Sequence, residues 1–407
     1  MPVAVSKRCV RPMPVTWLHI SDIHLKADGA YDRNVVLTAL IKSVRGFRER
    51  EKRKPDIIFA TGDIAHAGQS GEYKVATEFF DQLLEAAKLD RSHLYVVPGN
   101  HDVDRRLGAG LARTLLSRSA ADDYFDPLVP KPHLTQKLGG FLRWYQDYFA
   151  GIRNMPVNST CGPLQLVRVQ GYKLVIFPIN TALFCQDDND HEKLFVGRRC
   201  LSDALEEIKS LDASLKVALM HHPLEFLSGI ERQHIRAGLI DYLDVVLTGH
   251  LHEEGIARVQ MGDGRNLYCA AGATYQGRDW PNKALYATFE GDHVRIFPIC
   301  YFDAPREIWT LDTSQFPNEP GYEMRYPVPR GPDFRSFRLP GWSGLYHVPS
   351  PKLGNPTASA TVNLPGSKSA RGGTVSRGKG KDRPSKQKQK SAGKTKHNNK
   401  AEGKRIS

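Results

Sequence analysis

The sequence predicts an α/β protein with sheets in the middle and helices outside. Three observations predict it. Short β-branched and aromatic runs bounded by Gly, Pro, Asp or Asn alternate with helical patterns through most of the chain. Those runs are continuously apolar, the signature of strands covered on both faces. Late in the chain the alternation gives way to strand following strand.

In order, the strands are VTWLHI (15–20), DIIFATG (56–62), LYVVPG (94–99), YKLVIFPI (172–179), KVALM (216–220), DVVLTG (244–249), LYCAAG (267–272), ALYATFE (284–290) and HVRIFPI (293–299). Helical spacing covers 35–53, then 73–88, where Phe79, Phe80, Leu83 and Leu84 share one face, and 201–211 and 231–243. Residues 105–163 form a long insertion between core strands, a functional cap or a packing elaboration, and include the aromatic amphipathic stretch FLRWYQDYFAGI (141–152). Residues 1–14 read as an N-terminal extension, 15–302 as the main α/β domain, and the Pro-, Gly- and aromatic-rich 303–350 as an irregular extension.

The 407 residues carry a formal charge of +13. Residues 351–407 hold 11 Lys and 4 Arg against Asp382 and Glu402, which accounts for all of it. The first 350 residues balance to zero. With so little apolar content, the tail cannot offset its ordering entropy and is expected to be disordered. Its charge would hold nucleic acid without sequence preference; a merely solubilising tail is the other reading. Six scattered cysteines without a C-x-x-C pair suit neither a disulfide scaffold nor a zinc site, and imply reduced, mostly buried thiols in a cytoplasmic protein. The N-terminus lacks an uninterrupted apolar stretch after its early basic residues, and no run is long enough for a transmembrane segment.

Five strands end in polar clusters: Asp22-Ile23-His24, Asp63, Asn100-His101-Asp102, His221-His222, and His250-Leu251-His252. Ligands of open α/β sheets bind beyond the carboxyl ends of strands. Carboxylates with imidazoles suit first-row metals such as Mn, Fe, Zn, Ni or Co. Residues i and i+2 of an extended segment point the same way, so D-x-H and H-x-H can each serve one ion. A carboxylate such as Asp63 can bridge two ions, and an ion pair about 3.5–4 Å apart can clamp both oxygens of an in-line displacement at phosphorus. His222 must point away from His221 and reads as structural. His19 reads as a core residue, His66 as a turn residue with approach to the site as its other reading, and Asp104, Arg105 and Arg106 as a solvated loop.

The ordered set D-x-H, G-D, G-N-H-D, H and G-H-x-H resembles the calcineurin-like metallophosphoesterases over residues 15–300. The His-His-Pro context at 221–223 and Gly-Asp-Ile-x-His-x-Gly at 62–68 look most like the bacterial cyclic-nucleotide-phosphodiesterase branch. The resemblance implies a four-layer αββα sandwich and two divalent or trivalent ions, Mn, Fe or Zn. Asp22, His24 and His252 would hold the first ion. Asn100, His221 and His250 would hold the second. Asp63 would bridge them together with a solvent hydroxide. His101 would stabilise charge at the phosphate and protonate the leaving oxygen, and Asp102 would orient His101. No ligand position departs from the pattern. The substrate implied is a cyclic nucleotide or another phosphodiester. A nuclease aided by the basic tail is the alternative. An interaction module with a vestigial metal site is the third reading.

Overall fold

The uninterrupted apolar runs become strands because both of their faces meet other layers. A computed structural model describes residues 12–328 apart from 52, 108–114, 127, 129–131, 157–158, 188, 253, 262–263 and 279, all within the compact unit Met1–Pro340. The basic tail (351–407), most of the N-terminal extension and residues 329–350 lie outside the described residues.

In chain order the first half comprises β1 (Val15–Ile20), α1 (Tyr31–Arg50), β2 (Ile57–Thr61), α2 (Ser70–Ala87), β3 (Leu94–Val97), α3 (Arg118–Tyr124), α4 (Pro132–Lys137) and α5 (Gly139–Tyr148). The second half comprises β4 (Gln165–Val169), β5 (Tyr172–Pro178), α6 (Arg198–Ser210), β6 (Leu215–Leu219), α7 (Arg232–Tyr242), β7 (Val245–Thr248), β8 (Glu254–Met261), β9 (Gly264–Ala271), β10 (Lys283–Phe289), β11 (His293–Phe302), β12 (Ile308–Leu311) and β13 (Met324–Pro327).

One sheet runs β12-β11-β10-β1-β2-β3, with β13 also pairing β11. Its β1, β2 and β3 are parallel. The other runs β4-β5-β6-β7-β9-β8, with β5, β6, β7 and β9 parallel. Trp17, Phe59, Tyr95 and Leu285 of the first sheet pack with Leu174, Val217, Leu219 and Leu247 of the second in one buried cluster. The opposite face of the first sheet carries α1, α2 and α5, and that of the second carries α6 and α7. The protein is therefore a four-layer αββα sandwich.

Within the 105–163 insertion, α5 is a packing element against α2. Trp144 stacks on Tyr73 at 5.5 Å and on Phe80 at 5.9 Å between ring centres, and its indole N–H donates to Thr77 Oγ1 at 3.0 Å. Such aromatic pairs contribute about 0.5–1.5 kcal/mol each beyond their burial.

Residues 303–350 are not wholly irregular, contrary to the expectation. β12 and β13 both pair with β11. Trp309 anchors the first: it is buried, its indole donates to Val36 O at 2.9 Å, and Ser43 Oγ donates to its carbonyl at 2.9 Å. Short edge strands amid Pro and Gly leave little periodicity to read. Among the described residues, no helix is long and apolar enough to cross a membrane.

Candidate metal centre

Parallel strands send their carboxyl ends to one edge, and there the polar clusters meet. Asp22 and His24 follow β1, Asp63 follows β2, and Asn100 and His101 follow β3. His221 follows β6, while His250 and His252 follow β7, so both sheets contribute.

Ligand atoms of Asp22, His24 and His252 fall within 4.8 Å of one another. His24 Nε2 and His252 Nε2 lie 3.4 Å apart, and His252 Nε2 is 3.3 Å from Asp22 Oδ1. In a second group, Asn100 Oδ1 sits 3.0 Å from His221 Nε2 and 3.0 Å from His250 Nδ1. Asp63 stands between the groups: its Oδ2 is 3.9 Å from His24 Nε2 and 3.5 Å from His221 Nε2.

The backbone is bent to present these atoms. Asp22, His24, Asp63, His250 and His252 have φ of 54°, 50°, 52°, 73° and 58°. The left-handed region costs a residue with a Cβ about 1–2 kcal/mol. Strain of this kind persists where surrounding structure enforces it, typically at functional sites. Two glycines permit the close approach. A Cβ at Gly99 would collide with the Asp63 carboxylate, and one at Gly249 would lie 2.8 Å from Asp22 Oδ2.

The electrostatics suit cation binding. Burial resists ionisation of Asp22 and Asp63, but neighbouring imidazoles outweigh it and hold both carboxyls below their ordinary range. Burial pushes His24 and His250 down to about 4, so each is held in the neutral form that ligates metal. Burial also opposes charge on His221, yet Asp63 and Asp22 prevail and lift it to about 9. A cation in their midst would take over that charge compensation. His221 Nδ1–H donates to Thr61 O at 2.7 Å, which leaves Nε2 free to face Asp63. Buried Asp22 Oδ1 makes no well-aligned hydrogen bond, its imidazole neighbour His252 Nε2 standing 3.3 Å away, and His24 Nδ1 makes none either. An orphaned carboxylate oxygen facing imidazole nitrogens fits a metal ion.

The structure corrects the expectation for Asp102. Its buried carboxylate accepts Gly99 N–H at 2.9 Å, Ala65 N–H at 2.9 Å, Ile64 N–H at 3.2 Å and Tyr73 O–H at 3.0 Å. It holds the turns bearing Asp63 and Asn100. The His101 ring is instead oriented by the His66 carbonyl, which accepts from Nδ1–H at 2.8 Å. His101 follows an extended Gly99, and its backbone N–H is drawn to Asp63 Oδ1 at 2.8 Å.

His66, read as a turn residue, comes close enough to His24 and His101 for all three to offer nitrogens within 4.8 Å. Its place two residues beyond Ile64, in the G-D motif's own turn, was the available signal. His222, expected to point away, stays beside the site: its Nδ1 meets Thr181 Oγ1 at 2.8 Å, yet it offers a nitrogen within 4.8 Å of ligand atoms of His221 and His250. His19 is buried against Thr61 Oγ1 at 2.9 Å. Asp104 and Arg106 pair at the surface. Tyr73 and Thr181 were missed, since nothing near them in sequence marks them.

The calcineurin-like phosphoesterase family model matches residues 15–254, more than half of the chain. The chain belongs to this family. Among relatives, the uncharacterized metallophosphoesterase-like protein YydB of Bacillus subtilis (strain 168) is 28% identical over 252 residues, covering 59% of this chain and 49% of that protein. The probable glycerophosphodiester phosphodiesterase GpdQ of Arcobacter nitrofigilis is 36% identical over 87 residues, 21% of this chain and 29% of that protein. The chain thus spans about half or less of the relatives it matches. A dimetal phosphatase from Danio rerio superposes with a TM-score of 0.42 at 13% identity, covering 70% of this chain and 95% of that one. All five polar clusters of this calcineurin-like phosphoesterase lie inside the matched span.

Proposed function

We propose that the chain is a metal-dependent phosphodiesterase with a dinuclear centre. One observation carries this reading: two groups of ligand atoms share a single carboxylate, Asp63, whose Oδ2 faces an imidazole of each. Asp22, His24 and His252 would hold one ion and Asn100, His221 and His250 the other. Bound there, the pair would supply a water-derived nucleophile at neutral pH and a positive clamp on the phosphoryl oxygens. The chain's own groups do the rest. With Nδ1–H committed to His66 O, His101 has Nε2 left for the substrate, beside His24 at 4.6 Å between ring centres. It carries the proton to the leaving oxygen. Asp102 keeps the turn that aims it.

A small diester is favoured by the segment similar to glycerophosphodiester phosphodiesterases. The nuclease reading rests on the basic tail alone. Full-length protein loaded with Mn²⁺ would be offered bis(p-nitrophenyl) phosphate, glycerophosphodiesters, cyclic AMP and single-stranded DNA, each with and without residues 351–407. Metal-dependent hydrolysis of small diesters independent of the tail supports the proposal. Salt-sensitive DNA cleavage that needs the tail, with small diesters untouched, overturns it. Asp63→Ala is expected to remove both ions and nearly all turnover; activity surviving in a metal-replete preparation would take Asp63 out of the centre.

A further inference from the structure

The sequence scatters its cysteines, but the fold brings two of them together away from the metal centre. Cys161 lies on the segment that pairs with the end of β5 through Ile179, and Cys200 is the third residue of α6. Thr160 Oγ1 stands between them, 3.7 Å from Cys161 Sγ and 3.5 Å from Cys200 Sγ. Ser159 Oγ approaches Cys200 Sγ at 3.0 Å. Thr160 Oγ1 is the group both thiols approach, and neither thiol is in a disulfide. Both residues are half-buried, whereas Cys185, Cys269 and Cys300 are buried.

The two thiols are not equivalent. A thiolate in the first turn of a helix meets the positive end of its dipole. Arg198 and Arg199 immediately precede Cys200, although both pair with Asp122. The Cys161 thiol is the foremost influence that brings Cys200 down to about 6, while the hydroxyls beside it are committed, Ser159 donating to Cys161 O and Thr160 to Val196 O. Burial pushes Cys161 up, so the pair keeps one proton on Cys161. Glu231 opposes this, for its carboxylate accepts Val196 N–H at 2.6 Å and Gly197 N–H at 3.0 Å at the same helix end.

We propose that Cys161 and Cys200 are a redox-active dithiol whose oxidant is hydrogen peroxide, with Cys200 as the attacking thiol and Cys161 as the resolving one. The Cys200 sulfur takes the distal peroxide oxygen, the O–O bond breaks, and the leaving hydroxide is protonated to water. Cys161 sulfur then attacks the sulfenic sulfur. The S–O bond breaks, and the oxygen leaves as a second water with the thiol and sulfenic protons. Two thiols are oxidised to one disulfide and one peroxide is reduced to two waters. The linkage would close the chain from 161 to 200 and tie α6 to the segment beside Thr160, whose carbonyl accepts from Asn180 N–H at 2.7 Å.

The test is peptide mass mapping of the full-length chain treated with stoichiometric hydrogen peroxide. The expected product is a 161–200 linked peptide pair, two hydrogens lighter and restored by dithiothreitol. Before oxidation, iodoacetamide at neutral pH should label Cys200 well ahead of Cys185, Cys269 and Cys300. In Cys161→Ser, peroxide should leave a sulfenic acid on Cys200 that dimedone traps. Absence of the linked pair in the unsubstituted protein, with Cys200 labelled no faster than the buried thiols, overturns the proposal. So does peroxide joining Cys200 to another cysteine instead.

Discussion

His101 and Asp102 are neighbours in sequence with separate duties in the fold. The His101 ring lies beside those of His24 and His66, while Asp102 turns inward onto three backbone N–H groups and Tyr73. His101→Ala is expected to keep both ions and the melting temperature and to lower turnover by about 10²–10⁴-fold, the range for a lost general acid. Metal analysis beside a steady-state assay checks it; metal loss would make His101 a ligand. Asp102→Ala should behave differently. It strands buried donors at about 1–3 kcal/mol for each left unsatisfied, so it should lower thermal stability and metal content together. Unchanged stability with lost turnover would return Asp102 to a role on the imidazole. The polar clusters were legible because each closes an apolar strand run; the i and i+2 argument was not the reason they meet, since Asp22, His24, His250 and His252 are left-handed rather than extended. Asp102's true partners were not legible, because Ile64, Ala65 and Tyr73 lie 29 to 38 residues away and only folding adjoins them.

At the scale of elements, legibility followed burial. β2 and β3, buried throughout, were plain as apolar runs. β4 is partly exposed along its whole length at a sheet edge, and QLVRV offers no such run. Helix α6 begins where the sequence has no Ser, Thr, Asp or Asn cap: Gly197 precedes it at φ 90°. The cap comes instead from Glu231, whose buried carboxylate takes the N–H groups of Val196 and Gly197. Burial first, and Cys200 further, push that carboxyl up to about 7, against the pull of those N–H groups. A proton on Glu231 thus favours the folded state. The stabilisation is fully present below the ordinary pKa of 4.5 and is lost as pH rises through about 7. At about 1.4 kcal/mol per pKa unit the swing is about 3 kcal/mol. Glu231→Gln keeps an acceptor and removes the titration. Thermal melts from pH 4.5 to 8 should show the variant gaining on the parent protein as pH rises. Parallel curves would mean that Glu231 carries no such penalty.

For the whole molecule, the decisive feature is that the centre draws on both sheets. Asp22, His24, Asp63 and Asn100 stand at the ends of β1, β2 and β3, and His221, His250 and His252 at the ends of β6 and β7. Beyond the apolar layer between the sheets, ions there would clamp one sheet to the other at their carboxyl edge. They would also offset two buried carboxylates and five left-handed backbones that the apo chain must hold unaided. A ligand that binds only the folded state stabilises it by about 2.7 kcal/mol at a hundredfold excess over its Kd. Stripping metal with a chelator should therefore lower the melting temperature, and Mn²⁺ should restore it in a concentration-dependent way. Amide exchange should rise first in the turns after β1, β2, β3, β6 and β7, on both sheets together. Exchange that rises on one sheet alone would mean that the ions sit in one half of the site and that Asp63 does not join the two.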